Sequence, residues 1–139
     1  DAADTGTIPQ EWTPSASNDA GDTQLGDTSG RVIDGAKLRD LFIIYKQHAT
    51  IICQYVAGQF VFNFLPLFNT SGVQSVNCVI ELRGKHWVFA DDDIIVHDGN
   101  SYKSIVDNRV RDLVFRVIDI KKNYLCTVAV DLPNDEIWF

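Results

Sequence analysis

The chain has 139 residues, of which 45% are apolar and 22% charged, with a net charge of −7. That is one domain's worth of chain with enough apolar side chains for a core, which excludes a disordered, collagen-like or coiled-coil protein. Its longest apolar stretch, Leu41 to Tyr45, is far below the roughly 20 residues that span a bilayer.

Residues 1–30 hold six acids and neither Lys nor Arg, leaving 13 acids against 12 bases in residues 31–139. The first thirty residues are rich in Asp, Thr, Ser, Gly and Ala, with Ile8, Trp12 and Leu25 as their large apolar groups. Such a segment cannot bury enough surface to offset its chain entropy alone, so it reads as an extended acidic arm preceding one β-rich domain over 31–139. Ile8, Trp12 and Leu25 are the expected interaction residues, docking on a neighbouring subunit or on the arm's own domain. The chain contains no Met and opens at Asp1, which reads as a piece cut from a longer precursor.

After the arm, Asp34 is a candidate N-cap, and Leu38, Leu41, Phe42 and Tyr45 follow helical spacing, which predicts a helix ending near Gln47. From Ala49 the pattern turns to strands. Thr50–Val56 is β-rich. Gln59–Leu65 places Phe60, Phe62 and Phe64 on one face, and Pro66 closes the run. Val76–Arg83 sets Val76, Cys78, Ile80 and Leu82 inward, and Gly84-Lys85 is the expected hairpin turn into His86–Ala90. Ile94–His97, the turn Asp98-Gly99-Asn100 and Tyr102–Val106 continue the series. Val110–Ile120 reads as a long strand with Leu113, Phe115 and Val117 inward. Tyr124–Val130 and Glu136–Phe139 follow, the latter an edge strand after the break at Pro133-Asn134-Asp135. Short strands at this spacing predict an all-β fold, an antiparallel sandwich of jelly-roll type with one N-terminal helix.

The densest chemistry lies in Lys85–Asn100, where His86 and His97 flank a predicted hairpin beside Asp91, Asp92, Asp93 and Asp98. A divalent cation could use such donors, but no spacing fixes a third ligand, and acids in a turn face water. The plainer reading, which we prefer, makes His86 and His97 packing residues and Asp91–Asp93 a solvated turn. Cys53, Cys78 and Cys126 fit no zinc pattern and read as free thiols within strands. The sequon Asn69-Thr70-Ser71 carries meaning only in a secreted chain. Arginines 109, 111 and 116 alternate with aspartates 107, 112 and 119, so no basic face for nucleic acid forms. No cofactor and no metal is expected.

Three stretches resemble two known families. HWVFADDDIIVH is similar to the His-Trp box of the acyltransferase family related to lecithin–retinol acyltransferase. That resemblance implies His86 as base, His97 as its orienting partner and Cys126 as nucleophile. Cys126 lies in a strand-like run, without the helix N-terminus or nearby cation that would activate a thiol. GDTQLGDTSGRVIDGAKLRDLFIIYKQ and TVAVDLPNDEIWF resemble the arm, first helix and last strand of picornavirus-like capsid proteins of insect and algal viruses. Leu38, Arg39, Leu41, Phe42 and Tyr45 carry the first match, and Asp135, Glu136, Trp138 and Phe139 the second. This resemblance implies a structural assembly subunit of a virion, partnered by itself or by other capsid-like subunits through the arm, without direct nucleic-acid or membrane binding. A non-enzymatic binding module is the alternative, and a His/Cys hydrolase the less favoured one.

Overall fold

The computed structural model of the chain describes residues 21–56 and 62–139, together with Thr13 and Ser15. Ile8, Trp12 and Phe60 lie outside the described residues. Four strands, β1 (Val32–Leu38), β2 (Leu41–Lys46), β3 (Thr50–Tyr55) and β4 (Phe62–Phe68), form one antiparallel sheet in chain order. A second sheet repeats the plan with β5 (Val79–Leu82), β6 (Lys85–Phe89), β7 (Ile94–His97) and β8 (Tyr102–Ser104). Then come α1 (Asn108–Val117), a 3-10 helix (Ile120–Leu125) and the hairpin β9 (Ala129–Asp131) and β10 (Glu136–Trp138). The protein is thus mostly β and antiparallel. Every described strand neighbour is also a chain neighbour, whereas a Greek key returns a fourth strand beside the first.

Turn chemistry sets much of this locally. Leu82 pairs with Lys85, so the β5–β6 turn is Arg83-Gly84, one residue earlier than expected. Both turn residues have positive φ, 55° and 73°, which matches the twist of the flanking strands. Between β7 and β8 the Asp98 carboxylate accepts from the amides of Asn100 (2.9 Å) and Ser101 (3.0 Å). These bonds hold its acidity below the usual carboxylate range. Pro66, expected to end a strand, sits inside β4. That strand is a sheet edge, the place in a sheet where a residue without an N–H is tolerated.

The core draws on both sheets: Leu38, Ile43 and Tyr45 from the first, Val88, Phe89, Ile94 and Ile95 from the second, with Val73, Cys78 and Val128 between elements. At Gly72 an added Cβ would stand 2.3 Å from the Lys46 carbonyl, a close approach that admits no side chain. That approach lets the Val73 amide donate to the same carbonyl (3.1 Å) and ties the linker to β2.

Three expected elements differ. The helix expected from Asp34 to Gln47 is the β1–β2 hairpin, with Leu38 paired to Leu41 and Arg39 at φ 55° in its turn. Ile43 and Tyr45 face the core with two-residue spacing, and β3 pairs along β2 from Phe42 to Tyr45. Residues 110–120, expected as a strand, are mostly α1. Asp107 caps it, accepting from the Val110 amide at 2.8 Å. Leu113 and Val117 are therefore exposed, whereas Phe115 is half-buried against Phe89 with ring centroids 5.4 Å apart. The run expected as Tyr124–Val130 divides into the end of the 3-10 helix and β9. Of the other core expectations, Cys78 is buried, Phe64, Ile80 and Leu82 are half-buried, and Phe62 and Val76 are exposed, Val76 because it precedes β5 rather than lying in it.

Candidate functional site

His86 on β6 and His97 on β7 are direct cross-strand partners, both buried. Tyr45 reaches them from β2 of the other sheet. Its hydroxyl lies 2.8 Å from His86 Nδ1 and 2.5 Å from His97 Nε2. The remaining ring nitrogens are also engaged: His86 Nε2 with the Lys37 carbonyl on β1 (2.9 Å), and His97 Nδ1 with the Gly99 amide (3.2 Å).

The two ends of this chain of bonds dictate its direction. An amide N–H can only donate, so His97 Nδ1 carries a lone pair and its ring proton sits on Nε2. That proton goes to the Tyr45 oxygen. A carbonyl can only accept, so His86 carries its proton on Nε2 and offers Nδ1 to the Tyr45 hydroxyl. Both imidazoles are neutral and every bond is satisfied in one sense, from Gly99 to Lys37. Burial, reinforced by His86 close by, lowers the His97 pKa to about 4, with Asp98 opposing. Burial lowers His86 as well, against the Lys37 carbonyl and Glu81. The Tyr45 hydroxyl is pushed far up by burial and then by Asp34.

Chemically this is a clamp. Its four ring nitrogens are saturated, so neither imidazole has a nitrogen open to take a proton from a substrate or a thiol. Its members come from two strands of each sheet, so the chain of bonds ties the sheets together through the core. Cys126, the nucleophile implied by the acyltransferase resemblance, follows the 3-10 helix as its C-terminal cap, and its carbonyl accepts from the Cys78 thiol at 3.2 Å. Burial raises both thiol pKa values, Cys78 to about 11, which is the opposite of activation.

The acidic turn is engaged in structural pairs. Asp91 meets His48 at 2.7 Å, while Asp93 accepts from the Ile94 amide and the Ser104 hydroxyl (2.8 and 3.0 Å) and faces Arg111 at 3.8 Å. Burial, then Asp91 and Asp93, raises the Asp92 pKa. Among the described residues, no group of three or more His, Cys, Asp or Glu is placed to hold a metal ion. Nor is any described helix long and apolar enough to cross a membrane.

Two surface features remain. A cleft of about 580 Å³ between β5–β6 and β10 is lined by Trp87, Ile137 and Phe139, with Arg83 and Asp135 paired at its rim (2.6 Å). The second feature, which sequence reading missed, is the outer side of α1 and the 3-10 helix. Val110, Leu113 and Val117 fall on one exposed stripe of α1, and Ile120, Tyr124 and Leu125 of the 3-10 helix are exposed as well. Helical spacing at Val110, Leu113 and Val117 was the available signal, masked by the alternation of Leu113, Phe115 and Val117. Leu25, the one expected interaction residue among those described, lines a cavity of about 90 Å³ with Ile51, Phe64 and Pro66 of its own domain. Compared with known proteins, the chain matches no family model and no curated protein.

Proposed function

We propose that the protein is a structural assembly subunit, of the kind its resemblance to virus capsid proteins implies, and that it self-associates through the exposed face of α1 and the 3-10 helix. The reading takes the two meanders as a sandwich rather than a jelly roll. One observation carries it: Leu113, Val117 and Ile120 are 61%, 71% and 80% exposed within eight residues, and apolar patches on this scale mark contact surfaces. Around the stripe, Arg109 and Arg116 stand beside Asp107 and Asp112 along one groove. A face carrying both signs suits a second copy of itself in antiparallel register. The partner is that second copy or another subunit of the same assembly, and the place of action is a virion. The saturated imidazole–phenol clamp supports a scaffold role over catalysis.

Sedimentation velocity over a hundred-fold concentration range tests the proposal. The protein should associate, and Leu113→Asp with Val117→Asp should keep it monomeric while its circular dichroism is unchanged. A parent protein that stays monomeric throughout would overturn the assembly reading and put the binding-module alternative first.

A further inference from the structure

Side chains of β6 alternate between two faces. His86 joins the clamp with Tyr45, and Lys85, Trp87 and Phe89 fall on the opposite face, with Leu82 and Ile80 of β5 beside Lys85 and Trp87. The Phe89 end of this face is covered by the rings of Phe115 and Phe139, with centroids 5.4 and 6.3 Å away. The Lys85 end forms the cleft of about 580 Å³, a volume in the range of small-molecule sites. Its walls are Leu82, Trp87, Ile105, Ile137 and Phe139, of which Ile105 and Phe139 are 38% and 43% exposed.

Two polar groups of the cleft are unused by the fold. Arg83 and Asp135 neutralise each other at the rim, whereas Lys85 forms no ion pair among the described residues. The cleft therefore holds one uncompensated positive charge. The Nε1–H of Trp87 is buried and has no acceptor among the described residues, although buried indole N–H groups usually find one. Lys85 and Trp87 stand two positions apart on one face of one strand.

We propose that this cleft binds a small apolar carboxylate, with its hydrocarbon body against Trp87, Ile137 and Phe139 and its carboxylate at Lys85. The carboxylate accepts from the Lys85 ammonium and from Trp87 Nε1–H. Packing shields the indole nitrogen, so the ring turns within its broad χ2 well as the ligand seats. A neutral ligand of the same shape buries the same apolar surface but leaves the ammonium without a counter-charge, and a cationic one meets a like charge. The chain as a whole carries a net charge of −7, so it is no general trap for anions and the selectivity rests on these two donors. The site shares no residue with the exposed stripe of α1, and its test is independent of the assembly proposal.

Naphthylacetate and its neutral counterpart naphthylacetamide are the probes, titrated into the full-length chain at a concentration where it is monomeric. Calorimetry gives the affinities, and NMR follows the Trp87 indole N–H resonance, assigned by its loss in Trp87→Phe. The carboxylate should bind about ten-fold more tightly than the amide, the gain from one charge-assisted hydrogen bond. It should also move the Trp87 indole resonance downfield. Lys85→Gln, at an exposed position, should keep the fold and erase the preference. Trp87→Phe keeps an aromatic wall and should weaken the carboxylate while leaving the amide unchanged. Equal affinities of the two probes for the parent, or no binding of the carboxylate at millimolar concentration, overturn the proposal. So does a preference that survives Lys85→Gln, or binding that leaves the Trp87 resonance unmoved.

Discussion

Tyr45→Phe removes one oxygen and breaks two buried hydrogen bonds at once. The ring stays, so packing in the core is preserved and no cavity opens. His97 Nε2–H loses its acceptor and His86 Nδ1 loses its donor, with both imidazoles buried and no other hydrogen-bond partner at those nitrogens among the described residues. Each stranded group costs about 1–3 kcal/mol, so the variant should be about 2–5 kcal/mol less stable than its parent. That is a large share of the ~5–15 kcal/mol typical of a domain. Urea unfolding at pH 7 measures it, with the slope unchanged so that the midpoint alone reports stability. Tyr124→Phe, at an exposed tyrosine, provides the baseline and should lie within about 0.5 kcal/mol of the parent. A Tyr45→Phe loss below about 1 kcal/mol would refute the clamp as a structural element.

Acid should weaken the fold through the same residues. His97 has a folded pKa of about 4 against 6.5 unfolded, so the unfolded chain binds the extra proton between those values. Stability is then whole above pH 6.5 and falls by about 3 kcal/mol as pH drops to 4, with His86 adding in the same direction. Thermal unfolding scanned from pH 7 to pH 4 checks this, and a flat profile would contradict the neutral, buried pair. Cys126, its thiol raised by burial and unassisted by either imidazole, should alkylate much more slowly at pH 7 than a free cysteine. Rapid stoichiometric labelling at that residue would instead favour the acyltransferase-like alternative.

The second sheet was legible in the linear chain because its signals are local. Asp98-Gly99 and the Gly84 turn mark hairpins whose register follows from the turns, and strict alternation then assigns faces. The His86–His97 pairing was within reach of such reasoning, since both residues flank one hairpin. Tyr45 was not. Leu38, Leu41, Phe42 and Tyr45 satisfy a helical period, while Ile43 and Tyr45 satisfy a strand period, and periodicity cannot arbitrate between them. What decides is β3, whose residues Thr50 to Cys53 pair along β2 and turn Tyr45 into the core. Residues 107–118 show the reverse case, with an alternating pattern that fits a strand but an Asp107 cap and a Phe89 neighbour that hold a helix. Composition and turn residues thus determined a mostly β, antiparallel protein with an acidic N-terminal segment. Which ambiguous segments became strand or helix, and which phenol met which imidazoles, were settled by partners distant in sequence, because backbone pairing and burial outweigh the small intrinsic preferences of short segments.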